Sequence, residues 1–346
     1  MRFAAALLVV HAHAVDLAER LGASPPHLGV AALENFGAAG VDIFFVISGF
    51  IITRTAGRAS SAAAFAWNRL WRVAPLYYVA SIPWIVIKSW VGVLTAPILI
   101  ASFAFWLAAG PEPVAPALDV GWTLCFEMLF YAAVALIIAR GRSRASLVIA
   151  LSGYAACWIA GRHTGLATFK VLGNPIILEF LMGAAAAWLT PRLNRGAGAA
   201  LLCLGLAGFV AGIALGFGPI SEFSDVLAGG DVAARRVLIW GLPAGLVVMG
   251  AIALEPPSPP GLVRRGLARM GDASYALYLS HPLALYVVRL CLGAAPELSG
   301  DLLVLTVLAV CPGLGLAVHH WIERPLLACR PGRSKPARYG PSAQVA

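Results

Sequence analysis

The stretch MRFAAALLVVHAHAVDLAERLG (residues 1–22) sets the question that decides the fold. It is long and apolar enough to cross a membrane, for which a helix needs roughly 20 mostly apolar residues. Yet it opens on Arg2 and holds His11 and His13 in its middle. A charge at the centre of a span costs about 2.5–3.5 kcal/mol on insertion scales, so an ionisable group persists there where a cavity, a packing network or a reaction uses it.

The rest of the chain gives this stretch its setting. Of 346 residues, 60% are hydrophobic and only 12% charged, where a soluble domain carries about 25% charge. Mean hydropathy is +0.84. The fold class is therefore all-α and polytopic. Apolar runs continue to about residue 319, which argues against a cleaved leader ahead of a soluble domain. Ten transmembrane helices are expected, near 3–20, 40–54, 75–92, 122–139, 145–161, 174–189, 197–217, 236–254, 273–291 and 301–319. The run PILIASFAFWLAA (97–109) is expected as a re-entrant or surface segment.

The net charge of +9 does not point to nucleic acid, because the basic residues cluster in short loops between apolar runs. With both termini cytoplasmic, eighteen of the 25 lysines and arginines fall on the cytoplasmic side, which satisfies the positive-inside rule. The expected location is a bacterial inner membrane. Six cysteines lie in or beside apolar runs without CxxC spacing, so they read as packing residues and indicate no metal site. Gly208, Gly212 and Gly216 recur every fourth residue, a smooth face for close helix contact. The membrane unit is placed at 1–328, and 329–346 reads as a disordered basic cytoplasmic tail.

Helical period separates the two histidines. Eleven residues turn a helix three times plus about 20°, so Arg2 and His13 share a face about 16 Å apart along the axis. His11 lies on the opposite side and reads as a packing residue. Asp16, one turn beyond His13, is placed to orient its ring. His13 then suits a general base at mid-membrane, with a packing histidine as the alternative. In FAWNRLWRVAPLYY (65–78), Arg69 and Arg72 sit three apart, suited to forked contacts with phosphate; spacing alone favours a lipid-headgroup anchor. In VGWTLCFEMLFYAAVAL (120–136), Glu127 lies inside a span with Tyr131 one turn on, and it must be protonated, paired or in a wet cavity. ASYALYLSHPLALY (273–286) holds His281 just before Pro282, with structural and functional roles both open. Glu323 in HHWIERP (319–325) reads as one half of an ion pair with an arginine.

In this order the stretches resemble the acyltransferase 3 family of integral membrane acyltransferases, over nearly the whole chain. The carriers are RFAAALLVVHAH with its arginine, ten residues, histidine spacing, GVDIFFVISGFII (40–52), the paired arginines before APLYY, Glu127 with Phe130 and Tyr131, SYALYLSHP and IERP. The wording of the second and fourth motifs is most similar to members associated with exopolysaccharide production. The family's arginine normally follows several residues, whereas Arg2 follows Met1 here; either the start lies late or the helix begins at the membrane surface.

The resemblance implies transfer of an acyl group, commonly acetyl, from cytoplasmic acyl-CoA to a hydroxyl of a glycan or lipid-linked glycan acceptor. It makes His13 the leading catalytic residue and Glu127 its partner. Arg2, Arg69 and Arg72 become donor-binding candidates, with Tyr131, Asp42, Ser48 and His281 as further donor- or substrate-binding candidates. No bound cofactor and no metal are expected; acetyl-CoA enters as donor substrate. Membrane lipids and envelope-glycan assembly proteins are the expected partners. With no soluble domain after the last span, the membrane unit is expected to meet its acceptor directly or through a separate partner. The rivals are acylation of a lipid or secondary metabolite, and a proton-coupled transporter or flippase, although paired broken helices in internal repeats are not evident.

Overall fold

Small polar residues stand where the apolar runs begin, and they cap the helices that follow. Ser61 accepts from the Ala64 N–H at 3.1 Å, Ser143 from Ser146 at 3.1 Å and Asn194 from Ala197 at 2.8 Å. Each thereby satisfies one of the donors a helix start leaves open. The computed structural model describes residues 1–25, 31–215, 226–227, 229–256, 261–293 and 297–331. Residues 332–346 of the expected tail, and Gly216, lie outside them.

The helices are α1 (Arg2–Arg20), α2 (Ala31–Ala56), α3 (Ala62–Trp90), α4 (Ala96–Ala104), α5 (Trp122–Ala139), α6 (Arg144–Thr164) and α7 (Ala167–Leu172). They continue as α8 (Ile177–Leu189), α9 (Arg195–Ala214), α10 (Gly230–Ala253), α11 (Leu262–Asp272), α12 (Ser274–Leu292) and α13 (Gly300–Ala328). Nine helical stretches among the described residues are long and apolar enough to cross a membrane. The expected first span, α1, is a helix of 19 residues but not one of the nine, because Arg2, Asp16, Glu19 and Arg20 crowd its two ends. The second run, expected over 40–54, is the interior of a 26-residue helix. The doubtful 97–109 run supplies α4, whose nine residues reach only about 14 Å and so cannot span.

At the heart of the bundle α2 lies against both α1 and α8, and glycine sets both distances. A Cβ on Gly49 would stand 2.0 Å from the Phe180 carbonyl oxygen, and one on Gly183 2.0 Å from that of Val46. Only hydrogen fits at that backbone-to-backbone crossing. The Gly208 and Gly212 face packs on Pro243 and Trp240 of α10, where an added Cβ would meet each at 2.9 Å. Outward faces carry Ile82, Val86, Val148, Ile159, Val210 and Val310, all more than half exposed, as suits a surface whose solvent is lipid.

Two helices widen at a π-turn, Val237–Gly241 in α10 and His319–Glu323 in α13. Each is followed, one residue on, by a proline, Pro243 and Pro325. A proline lacks its N–H and its ring crowds the carbonyl four residues back, so the preceding turn opens. Both widened turns adjoin buried charge: Arg236 directly precedes one, and Glu323 ends the other.

Candidate active site: two chambers through the bundle

Arg2 at the start of α1, the middle of α2, Arg72 and Val73 of α3, the first half of α5 and the start of α12 line a narrow inner chamber of about 90 Å³, with Ser48, Glu127, Tyr131 and Tyr275 among its walls. Glu127 Oε1 accepts from Ser48 Oγ at 2.8 Å and from Tyr131 OH at 2.6 Å. The i, i+4 spacing on α5 supplies the second bond, and only the crossing of α2 supplies the first. Arg72 pairs with Glu323, and its guanidinium lies 5.7 Å from the Tyr275 ring centroid. Glu323, 1% exposed, also accepts from His319 Nδ1 at 2.6 Å, so the ion pair expected of it is formed, and with Arg72. Among the described residues the Arg2 guanidinium makes no hydrogen bond or ion pair, and it faces a chamber holding both Arg72 and Glu127.

The two arginines of α3 part company. Arg72 lines the chamber, whereas Arg69 lies 6.0 Å from the Phe65 ring centroid with its Nε buried and unpartnered among the described residues. Three residues along a helix leave about 60° between side chains, enough to turn one away.

At the opposite end α1, α2, α3, α5, α10 and α12 surround a larger vestibule of about 520 Å³. His13 lines it, with Asp16, Arg20, Trp84, Asp119 and Tyr286. The His13 ring packs on that of His281, centroids 5.2 Å apart and planes 31° apart. His281 is fully buried, with Nδ1 3.3 Å from its own Leu277 carbonyl and Nε2 unpartnered among the described residues. Asp16 is held by Arg20 Nε, 3.0 Å from each carboxylate oxygen, so the carboxylate expected to orient His13 serves a different partner.

Val41 and Tyr278 line both chambers and form the septum between them. Tyr278 OH reaches the Val120 carbonyl at 2.9 Å and Thr123 Oγ1 at 3.0 Å, which fixes the ring across the path. Glu127 lies on one side of this septum and His13 on the other.

Asp42 stands apart from these cavity-lining groups. It is 0% exposed and takes a forked pair from Arg236, Nε to Oδ1 at 3.1 Å and Nη2 to Oδ2 at 2.7 Å. Glu179 is fully buried and close enough to feel both charges, while neither of its oxygens has a hydrogen-bond partner among the described residues. Arg236 and Glu179 were missed as buried polar groups by sequence reasoning. The available signal was a cation and two carboxylates inside apolar runs, which a membrane interior forces to find one another.

Membrane-length helices enclosing two chambers that meet at a buried tyrosine define a multi-pass membrane protein. The chain belongs to the acyltransferase 3 family: the family's profile, described as an acyltransferase domain, matches residues 1–320. It is therefore an acyltransferase. The exopolysaccharide production protein ExoZ of Rhizobium meliloti (strain 1021) is 34% identical over 332 residues, covering 90% of this chain and 96% of that protein. Nodulation protein 10 of Rhizobium leguminosarum bv. viciae is 27% identical over 292 residues, 73% of each chain. No solved structure matches.

Proposed function

We propose that this protein moves an acyl group, acetyl in the simplest case, from cytoplasmic acyl-CoA to a hydroxyl of exopolysaccharide or its lipid-linked precursor at the bacterial inner membrane. The observation that carries the reading is the pair of unlike chambers meeting at Tyr278. The inner chamber carries Arg2 and Arg72, which suit an anionic donor. The vestibule, at about 520 Å³, is of the size that holds small ligands, roughly 300–1,000 Å³. The name of the exopolysaccharide relative supports the choice of acceptor.

In this reading Arg2 and Arg72 hold donor phosphates, and His13 takes the proton from an acceptor hydroxyl in the vestibule. The hydroxyl oxygen attacks the thioester carbonyl, a C–O bond forms, the C–S bond breaks, and coenzyme A leaves as a thiolate that the imidazolium proton neutralises. Glu127, held by Ser48 and Tyr131, presents a fixed carboxyl beside the incoming donor. Direct transfer requires the Tyr278 ring to yield as the thioester reaches the septum. The test is ester acetyl per repeat unit of surface polysaccharide in a deletion strain carrying wild-type or His13→Ala protein. A variant present in the membrane at wild-type level that still acetylates fully refutes the role of His13. Loss of the gene without loss of ester acetyl refutes the acceptor.

A further inference from the structure

We infer that Trp84 and Tyr286 form the acceptor's sugar-binding platform in the vestibule, a site for the flat face of a pyranose ring; the inference rests on the acceptor reading above. Trp84 follows Pro83 in the interior of α3, and Tyr286 lies one turn beyond Pro282 in α12. Their rings meet edge to face, centroids 5.5 Å apart and planes at 61°. Such a pair holds each ring at a set angle without covering all of its faces. Both residues line the vestibule that His13 lines.

Three features point to a carbohydrate. The aromatic faces carry negative charge density and attract the C–H-rich face of a pyranose, which is weakly positive. The Trp84 indole N–H is buried and has no hydrogen-bond partner among the described residues, a donor left open for a ligand oxygen. Asp16, Asp119 and Arg289 line the same cavity, the two carboxylates held by Arg20 and Lys88 with acceptor capacity to spare for a ligand hydroxyl. A lipid tail would leave the Trp84 N–H without an acceptor. A sugar hydroxyl accepts from it, and a ring seated on the platform offers a neighbouring hydroxyl to His13.

The experiment uses full-length protein in nanodiscs, acetyl-CoA as donor and base-deacylated repeat-unit oligosaccharide from the producing strain's own exopolysaccharide as acceptor. For Trp84→Ala the acceptor KM rises roughly three- to tenfold, as loss of one aromatic contact predicts, while the KM for acetyl-CoA stays unchanged. Trp84→Phe retains most of the acceptor affinity, and Tyr286→Ala repeats the Trp84→Ala pattern. Equilibrium binding of labelled oligosaccharide falls in Trp84→Ala and persists in His13→Ala, which reads the site without turnover. An unchanged acceptor KM in a folded Trp84→Ala protein, or equal rises in both KM values, overturns the platform alone. Wild-type protein that transfers acetyl to no oligosaccharide overturns the acceptor reading and the platform together.

Discussion

Replacing Asp42 by asparagine removes the only carboxylate hydrogen-bonded to Arg236 among the described residues. Arg236 is 1% exposed and Asp42 0%, so the pair is held almost wholly out of water although Arg236 borders the vestibule. Breaking a buried pair on one side costs about 3–5 kcal/mol, because the remaining charge is left uncompensated. Here the geometry makes the two sides unequal. Glu179 lies beside Asp42 and near Arg236, and no N–H or hydroxyl donor reaches its carboxyl among the described residues, so it can take over as partner when Asp42 is lost. Asp42→Asn is therefore expected to cost about 1–2 kcal/mol, below the usual range. Arg236→Met leaves two buried carboxyls without a cation and costs the full 3–5 kcal/mol, which at roughly 2–4 °C per kcal/mol is on the order of 10 °C in Tm. Asp42→Asn/Glu179→Gln removes both of the buried carboxylates beside Arg236 among the described residues, and its loss exceeds the sum of the two single losses by about 2 kcal/mol. The assay is thermal unfolding of detergent-solubilised protein followed by fluorescence-detected size exclusion. Equal losses for Asp42→Asn and Arg236→Met, or additivity in the Asp42–Glu179 double variant, refute the argument that Glu179 stands in reserve.

Three further outcomes follow from the same geometry. Ser48→Ala and Tyr131→Phe each remove one donor to Glu127, and each is expected to lower kcat/KM roughly ten- to hundredfold, since a hydrogen bond to a charged group contributes about 1.5–3 kcal/mol; steady-state acyl transfer checks this. Glu323→Gln frees Arg72 from its anchor and is expected to raise the KM for acetyl-CoA while the acceptor KM holds, read by titrating each substrate in turn. Gly49→Ala puts a methyl 2.0 Å from the Phe180 carbonyl oxygen, so α2 and α8 must separate. A loss of about 3 kcal/mol is expected, the upper end for overpacking, visible as reduced membrane accumulation and a lower Tm.

Much of the architecture was legible in composition and period. The length of apolar run that crosses a bilayer, and the bias of arginine to one side, follow from local chemistry. They placed the nine membrane-length stretches and kept α4 out of the count, while counting α1 as a tenth. Helical period likewise put Glu127 and Tyr131 in reach of one another, and they bond. Boundaries at polar helix ends were less legible: α2 extends well beyond the expected 40–54, because Asn35, Glu34 and the residues beside them dilute its apolar signal.

The tertiary structure decided what the period left undetermined. Period relates residues on one helix, whereas partnership between helices depends on which faces meet. Glycines at the α2–α8 crossing and the π-turns before Pro243 and Pro325 set those meetings. That is why Ser48 reaches Glu127 and why Glu323 takes Arg72. It is also why His13 and Glu127 face each other across Tyr278 from separate chambers. The opening sequence by itself determined that α1 is a membrane helix carrying a cation and a histidine on one face. Only the packing of five other helices decided that the cation belongs to a narrow chamber and the histidine to a wide one. The physical reason is that a buried polar group takes the partner that close packing brings to it, and chain order does not encode that partner.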